Sequence, residues 1–152
     1  AKKKILLLAD DLRMSSGVGT MSKEFVLGTL HHYDWVQIGG AIKHPDVGKI
    51  INMNESVRKD TGVEDASLTI YPTNGYGSQE LVRELMDRER PDAILHYTDP
   101  RFSTCLYSSS NLGVGYMILN MNLDKTFRYF TITFGMIGQL HITMSFSMSH
   151  VT

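Results

Sequence analysis

One stretch near the start of the chain constrains the fold more than any other. It reads ILLLADDLRMSSGVGTMSKEFVLGTL over residues 5–30, with a short apolar run, two carboxylates, a glycine loop and a helical pattern. A continuous apolar run bounded by charge, here residues 5–9, is typical of a strand covered on both faces of a parallel sheet. Ser15 and Ser16 are candidate helix caps. The stretch therefore predicts a strand, a loop and a helix in that order.

The helix predicted after the glycine loop carries an apolar stripe at helical spacing. The stripe is formed by Val18, Met21, Phe25, Val26 and Leu30. The segment WVQIGGAI, residues 35–42, then predicts a second strand. A strand, a helix and a strand in succession form a β-α-β unit, which closes right-handed onto a parallel sheet.

The next part of the chain interrupts this alternation. Residues 43–66 are polar and contain glycine and proline, so we expect a long surface excursion with a short helix over residues 55–60. LTIYP, residues 68–72, predicts a third strand.

A second helix and a fourth strand follow. Ser78 caps a predicted helix over residues 79–90, which Pro91 ends. The apolar face of this helix consists of Leu81, Val82, Leu85 and Met86. DAILHY, residues 92–97, predicts the fourth strand. Residues 2–102 therefore predict an α/β fold with an open parallel sheet in the order β-α-β-excursion-β-α-β.

The composition changes at Ser103. Beyond it the only charged residues are Asp124, Lys125 and Arg128, and apolar residues occupy alternate positions from Phe130 to Met148. A period of two is a strand signature, so we expect two strands with a turn over residues 135–138. We accordingly divide the chain into residues 1–102 and a β-rich tail, residues 103–152, whose nearly uncharged strands favour pairing at an exposed edge.

Charge and cysteine content exclude several classes of partner and site. The formal net charge is -1, so no long-range field favours nucleic acid. A single cysteine, Cys105, allows no internal disulfide and favours a reducing, cytoplasmic location. No run approaches the roughly 20 apolar residues that a membrane-spanning helix needs. The scattered histidines show no metal-ligand spacing, and we expect neither a metal nor a cofactor.

The glycine loop is the first candidate binding site. Ser16, Gly17, Val18 and Gly19 join a predicted strand to a predicted helix, which places main-chain N–H groups at the positive end of the helix. Such a junction suits a phosphate or the oxygens of a sugar. The spacing lacks the third glycine of a dinucleotide fingerprint and the lysine of a P-loop. Two interpretations therefore stay open at this point, ligand contact and a tight turn.

Two further segments are expected at the same edge of the sheet. The loop TNGYG, with Gly75 and Tyr76, enters the second helix, and the fourth strand ends at HYTDPRF. His96, Asp99 and Arg101 are the polar groups of that segment, although Asp99 and Arg101 also suit a plain turn and a surface charge. Ligands of open α/β sheets bind along the carboxyl edge. The three segments together predict a binding site there.

The acidic pair Asp10-Asp11 raises another possibility, a receiver domain in which carboxylates hold Mg²⁺. The buried run after Pro91-Asp92 ends in His96-Tyr97 where that pattern requires an aspartate. The register therefore argues against a receiver domain. The plainer interpretation is that both are loop carboxylates, with Asp11 pairing with Arg13.

Residues 3–30 resemble the opening of a GT-B glycosyltransferase, the class built of two Rossmann-like lobes. Members of its large retaining families begin with a strand, then GGVG or SGVG, then a helix of the xxxxELAxxL kind. SGVG at residues 16–19 and SKEFVLGTL at residues 22–30 match in order and spacing. RPDAILHYTDP, residues 90–100, is similar to a later strand of the same lobe. The resemblance covers residues 2–102.

This resemblance implies transfer of a sugar from a nucleotide-sugar to a hydroxyl acceptor in the cleft between two lobes. It implies that this lobe mainly binds acceptor, that Gly17 and Gly19 lie against the donor phosphates with Ser16 and Val18 beside them, and that His96 and Asp99 lie near the acceptor. The 152 residues contain no counterpart of the donor lobe. The tail does not match the family. One lobe of a longer enzyme, a reading frame altered near Phe102 and a different small domain are the three explanations of that mismatch.

Two classes of function follow. The first is the acceptor-binding lobe of a glycosyltransferase, inactive alone. The second is a non-catalytic α/β module that binds a phosphorylated ligand or forms a homodimer through its tail strands.

Overall fold

The computed structural model describes residues 2–40, 45–75, 77–97, 127–134 and 140–148. The elements of these ranges, in chain order, are β1 (Lys3–Asp10), α1 (Gly17–Thr29), β2 (Tyr33–Gly40), β3 (Ile51–Asn52), α2 (Asn54–Thr61), β4 (Leu68–Pro72), α3 (Gln79–Glu89), β5 (Ala93–Tyr97), β6 (Phe127–Phe134) and β7 (Leu140–Met148). The class is α/β, as the alternation in the sequence predicts.

The strands form one sheet in the order β3-β4-β2-β1-β5-β6-β7. Neighbours from β4 to β6 run parallel, whereas β3 is antiparallel to β4 and β7 is antiparallel to β6. The prediction of a parallel sheet over residues 2–102 is therefore right for β1, β2, β4 and β5 and wrong for β3. β3 turns back along β4 for only two residues, and β6 and β7 pair as successive antiparallel strands.

Successive side chains of β1 point to opposite faces of the sheet and pack into two separate clusters of the core. Leu6 and Leu8 pack in a cluster with Val82, Leu85 and Met86 of α3. Leu7 and Ala9 pack in a second cluster, whose members from other elements include Val26, Leu30, Trp35, Val57 and Ile70. The strands β1, β2, β4 and β5 are thus covered by α3 on one face and by α1 and α2 on the other. The predicted apolar face of α3 is confirmed.

The predicted stripe of α1 needs correction. Val26 and Leu30 are buried, but Met21 is 57% exposed and Phe25 is 51% exposed. The buried residues of α1 include Gly19 and Ser22, which are small. The predicted stripe was wrong because the prediction used the hydrophobicity of each residue alone. Phe25 instead lies edge-on to buried Trp35, with ring centroids 5.8 Å apart.

The excursion between β2 and β4 contains the expected short helix, α2, which extends beyond residues 55–60 at both ends. The short strand β3 was not predicted. In the tail, the two predicted strands are present as β6 and β7, and the predicted turn over residues 135–138 lies outside the described residues. None of the helices in the described ranges is both long and apolar enough to cross a bilayer.

Candidate functional site at the carboxyl edge of the sheet

Two loops meet around the end of β2. Asp10, the last residue of β1, lies opposite Gly40, and Pro72, the last residue of β4, lies opposite Gly39. Beyond the strands the Asp11 N–H donates to the Gly40 carbonyl at 3.1 Å, and the Thr73 N–H donates to the Gly39 carbonyl at 2.9 Å. The β1–α1 loop and the β4–α3 loop therefore start at the same edge, one on each side of β2.

Ser16 caps the positive end of α1 at this edge. Its Oγ accepts from the Gly19 N–H at 2.9 Å and donates to a carboxylate oxygen of Asp10, also at 2.9 Å. Gly19 is buried, and a Cβ there would lie 2.9 Å from the Met14 carbonyl oxygen. Gly17 is exposed, with no heavy atom within 4 Å of the corresponding point. Of the two predicted glycines, Gly17 is thus the one that presents backbone to solvent, and Gly19 allows the turn to close.

The loop is held by a carboxylate that is 0% exposed, Asp11. The Arg13 guanidinium donates to both of its oxygens, from Nε at 3.0 Å and from Nη2 at 2.9 Å. The backbone N–H of Arg13 donates to the same carboxylate at 2.9 Å. The hydrogen bond to Asp11 raises the pKa of Arg13, so the guanidinium stays charged. The predicted pairing of Asp11 with Arg13 is confirmed, and its two-pronged geometry gives it directional strength.

Gln37 of β2 contributes a second buried contact to the loop. Its side-chain Nε2 donates to the Asp10 carbonyl at 2.8 Å, and its Oε1 accepts from the Leu12 N–H at 3.2 Å. Both groups would otherwise lack a strand partner at the point where β1 ends, and an unsatisfied buried amide costs about 1–3 kcal/mol. Sequence analysis missed Gln37, although a glutamine inside the apolar run WVQIGG was a usable signal.

A turn from the excursion also reaches this edge. Asp46 accepts from Nη1 of Arg13 at 3.2 Å, and the Gly48 N–H donates to the Pro72 carbonyl at 3.3 Å. Residues 45–49 thus contact the β1–α1 loop on one side and the end of β4 on the other. Sequence analysis placed this segment only on the surface.

The β4–α3 loop presents the other predicted glycine. Gly75 is exposed, adopts a φ of +63°, and has open space where a Cβ would lie. Ser78 caps α3 by accepting from the Leu81 N–H at 3.2 Å, as predicted. Tyr76, the remaining candidate in this loop, lies outside the described residues.

The end of β5 offers a buried imidazole. His96 is 1% exposed and lies opposite Leu8 of β1. Alternation with Ile94 places it on the α3 side of the sheet. Burial lowers the pKa of His96 to about 4, so the ring is neutral at pH 7. Its predicted ligand contact stays a prediction, and the candidates Asp99 and Arg101 lie outside the described residues.

The electrostatics of the β1–α1 junction restrict the ligand. The first turn of α1 contains no acidic residue, which leaves the positive end of the helix dipole available. The Asp10 carboxylate, however, lies at the cap of the same helix. A group that accepts from backbone N–H and also donates to a carboxylate fits this arrangement, and a hydroxyl does both. Among the described residues no three His, Cys, Asp or Glu side chains are grouped to hold a metal ion.

Comparisons with protein-family models, with curated proteins and with solved structures found no match for this chain.

Proposed function

We propose that residues 2–97 form a Rossmann-like unit that serves as the acceptor-binding lobe of a GT-B glycosyltransferase. The order β4-β2-β1-β5 within these residues supports the Rossmann-like part of this proposal, because it reproduces the strand order 3-2-1-4 of a doubly wound sheet. The placement of α3 on one face, with α1 and α2 on the other, supports it as well.

The observation that carries the ligand site is the exposed backbone of Gly17 at the capped end of α1, on the same edge as exposed Gly75. Carboxyl edges of such sheets are where ligands bind. In the proposed role the lobe positions a hydroxyl acceptor and lies against the phosphates of a nucleotide-sugar, and positioning supplies part of the catalysis. Asp10 favours the hydroxyl-bearing part of the ligand in the β1–α1 loop.

Calorimetric titration with UDP-sugars and GDP-sugars tests the assignment to a single lobe. We expect weak binding, with a Kd of about 1 mM or higher, because the donor-gripping lobe is not among these residues. Micromolar affinity would contradict the assignment. A matched titration of the Gly28→Ala variant, altered at an exposed position near the end of α1, should give the same isotherm.

A second candidate function, a homodimer formed by edge pairing, is favoured by the position of β7. The sheet order ends at β7, and residues 140–148 contain no charged residue and no proline. Uncharged edge strands of this kind favour pairing with another chain. Light scattering over a range of protein concentrations distinguishes the candidates, since a strict monomer would remove this one.

A further inference from the structure

The segment at residues 45–49 is fastened to the candidate ligand loop by one side chain. Arg13 uses Nε and Nη2 for Asp11 and Nη1 for Asp46, so its guanidinium joins the β1–α1 loop to a residue far along the chain. The other side of the segment is fastened to the end of β4 through Gly48 and Pro72.

The two halves of this connection differ in strength. Asp11 is fully buried and takes two guanidinium hydrogen bonds, whereas the side chains of Arg13 and Asp46 are 28% and 21% exposed and share one hydrogen bond at 3.2 Å. An ion pair with such access to water contributes little to stability. Substitution of Asp46 removes the Arg13–Asp46 pair and leaves the buried Asp11 carboxylate paired with Arg13. Substitution of Arg13 would instead leave Asp11 buried without its cation.

We propose that Arg13 is a positioning residue, through which Asp46 orders the β1–α1 loop that presents Gly17. The chain of contacts runs from Asp46 through the guanidinium to the Asp11 carboxylate, and Asp11 in turn accepts from the Arg13 N–H while its own carbonyl accepts from the Met14 N–H. Loss of Asp46 frees one side of the guanidinium and loosens this turn. The importance of the loop rests on the proposed function, but the tether itself is measurable without any ligand.

The test is amide hydrogen exchange of the full chain, followed for peptides that cover residues 11–20. Asp46→Asn should speed exchange there by about twofold to fivefold, as expected for a partly exposed ion pair. Asp46→Glu should restore most of the protection. Lys49→Gln, which removes only the Lys49–Asp46 pair at 3.2 Å, should leave these peptides unchanged.

Two further measurements distinguish local ordering of the loop by Asp46 from a general effect of Asp46 on the stability of the fold. Exchange of peptides from α3 should stay unchanged in Asp46→Asn, since global stability is retained. About 1 M salt, where the screening length falls to about 3 Å, should remove most of the difference between wild type and variant. Unchanged exchange over residues 11–20 in Asp46→Asn, or equal changes in α3, would overturn the proposal whether or not the chain binds a sugar nucleotide.

Discussion

The Oδ2 atom of Asp11 lies 2.6 Å from the point that a Cβ on Gly39 would occupy. The carboxylate after β1 therefore rests on the bare backbone of β2, and this contact places the β1–α1 loop at the edge of the sheet. Glycine is required at position 39 by close approach, since its backbone is an ordinary strand.

Gly39→Ala should destabilise the fold. The new methyl group overlaps a buried carboxylate that Arg13 holds in place, and overpacking of this kind costs about 1–3 kcal/mol. Urea unfolding measures the loss. Gly28→Ala is the matched control, because nothing lies within 4 Å of its Cβ position and alanine in the last turn of α1 should not destabilise the helix. Equal stability of Gly39→Ala and wild type would contradict the geometry.

Asp11→Asn should weaken the loop more than the surface ion pairs suggest. The amide keeps the shape of the side chain but cannot accept both guanidinium hydrogen bonds, and bonds to charged groups contribute about 1.5–3 kcal/mol. Chemical denaturation should show a loss in that range. Glu84→Gln, which removes the exposed pair with Arg88 at 2.7 Å, should cost no more than about 0.5 kcal/mol. Similar losses in the two variants would be inconsistent with a buried Asp11 pair.

Stability should depend on pH through His96. Burial lowers its pKa in the folded state from 6.5 to about 4, so the unfolded chain binds the proton more readily between these values. The contribution of His96 is therefore complete above pH 6.5 and is lost as the pH falls towards 4, by about 2 kcal/mol at pH 5. Unfolding free energies at pH 7.5 and pH 5 test this. His96→Gln should reduce the dependence, and an unchanged pH profile in that variant would assign it to other groups.

Ser22→Ala should be neutral or stabilising. The hydroxyl of Ser22 is buried without a hydrogen-bond partner in the described structure, and alanine removes that unsatisfied group while favouring the helix. We expect a gain of up to about 1 kcal/mol in thermal or urea unfolding. Thr29→Val provides the contrast, because the Thr29 hydroxyl accepts from Trp35 Nε1 at 3.1 Å and its loss should destabilise. Destabilisation by both substitutions would point to a partner for Ser22.

The elements that could be predicted from the sequence are those whose buried positions are occupied by large apolar residues. The apolar run before Asp10 is a buried strand. Val82, Leu85 and Met86 recur at helical spacing, and all three are buried. In α1 the small residues Gly19 and Ser22 are buried, and a hydrophobicity scale gives them no weight. β3 is too short for a periodic signal.

The polar contacts of the candidate site were harder to predict, because their partners lie far apart in sequence. Gln37 bonds to the loop after β1, and Arg13 bonds to Asp46. Such pairings depend on the strand order, which brings the ends of β1, β2 and β4 together. The glycine at position 39, near the end of β2, was the signal that another chain segment approaches closely there.

The most direct test of the central claim is amide NMR of the wild-type chain and of Gly17→Ala, titrated with UDP-sugars and GDP-sugars. Alanine fits position 17 without contact, so any effect on binding reports access of the ligand to the backbone. We predict weak binding, with a Kd of about 1 mM or higher, whose chemical-shift changes concentrate in residues 16–18 and 74–75. These changes should be lost in Gly17→Ala and kept in Gly28→Ala. Shifts confined to the opposite edge of the sheet, or undiminished binding by Gly17→Ala, would contradict the account.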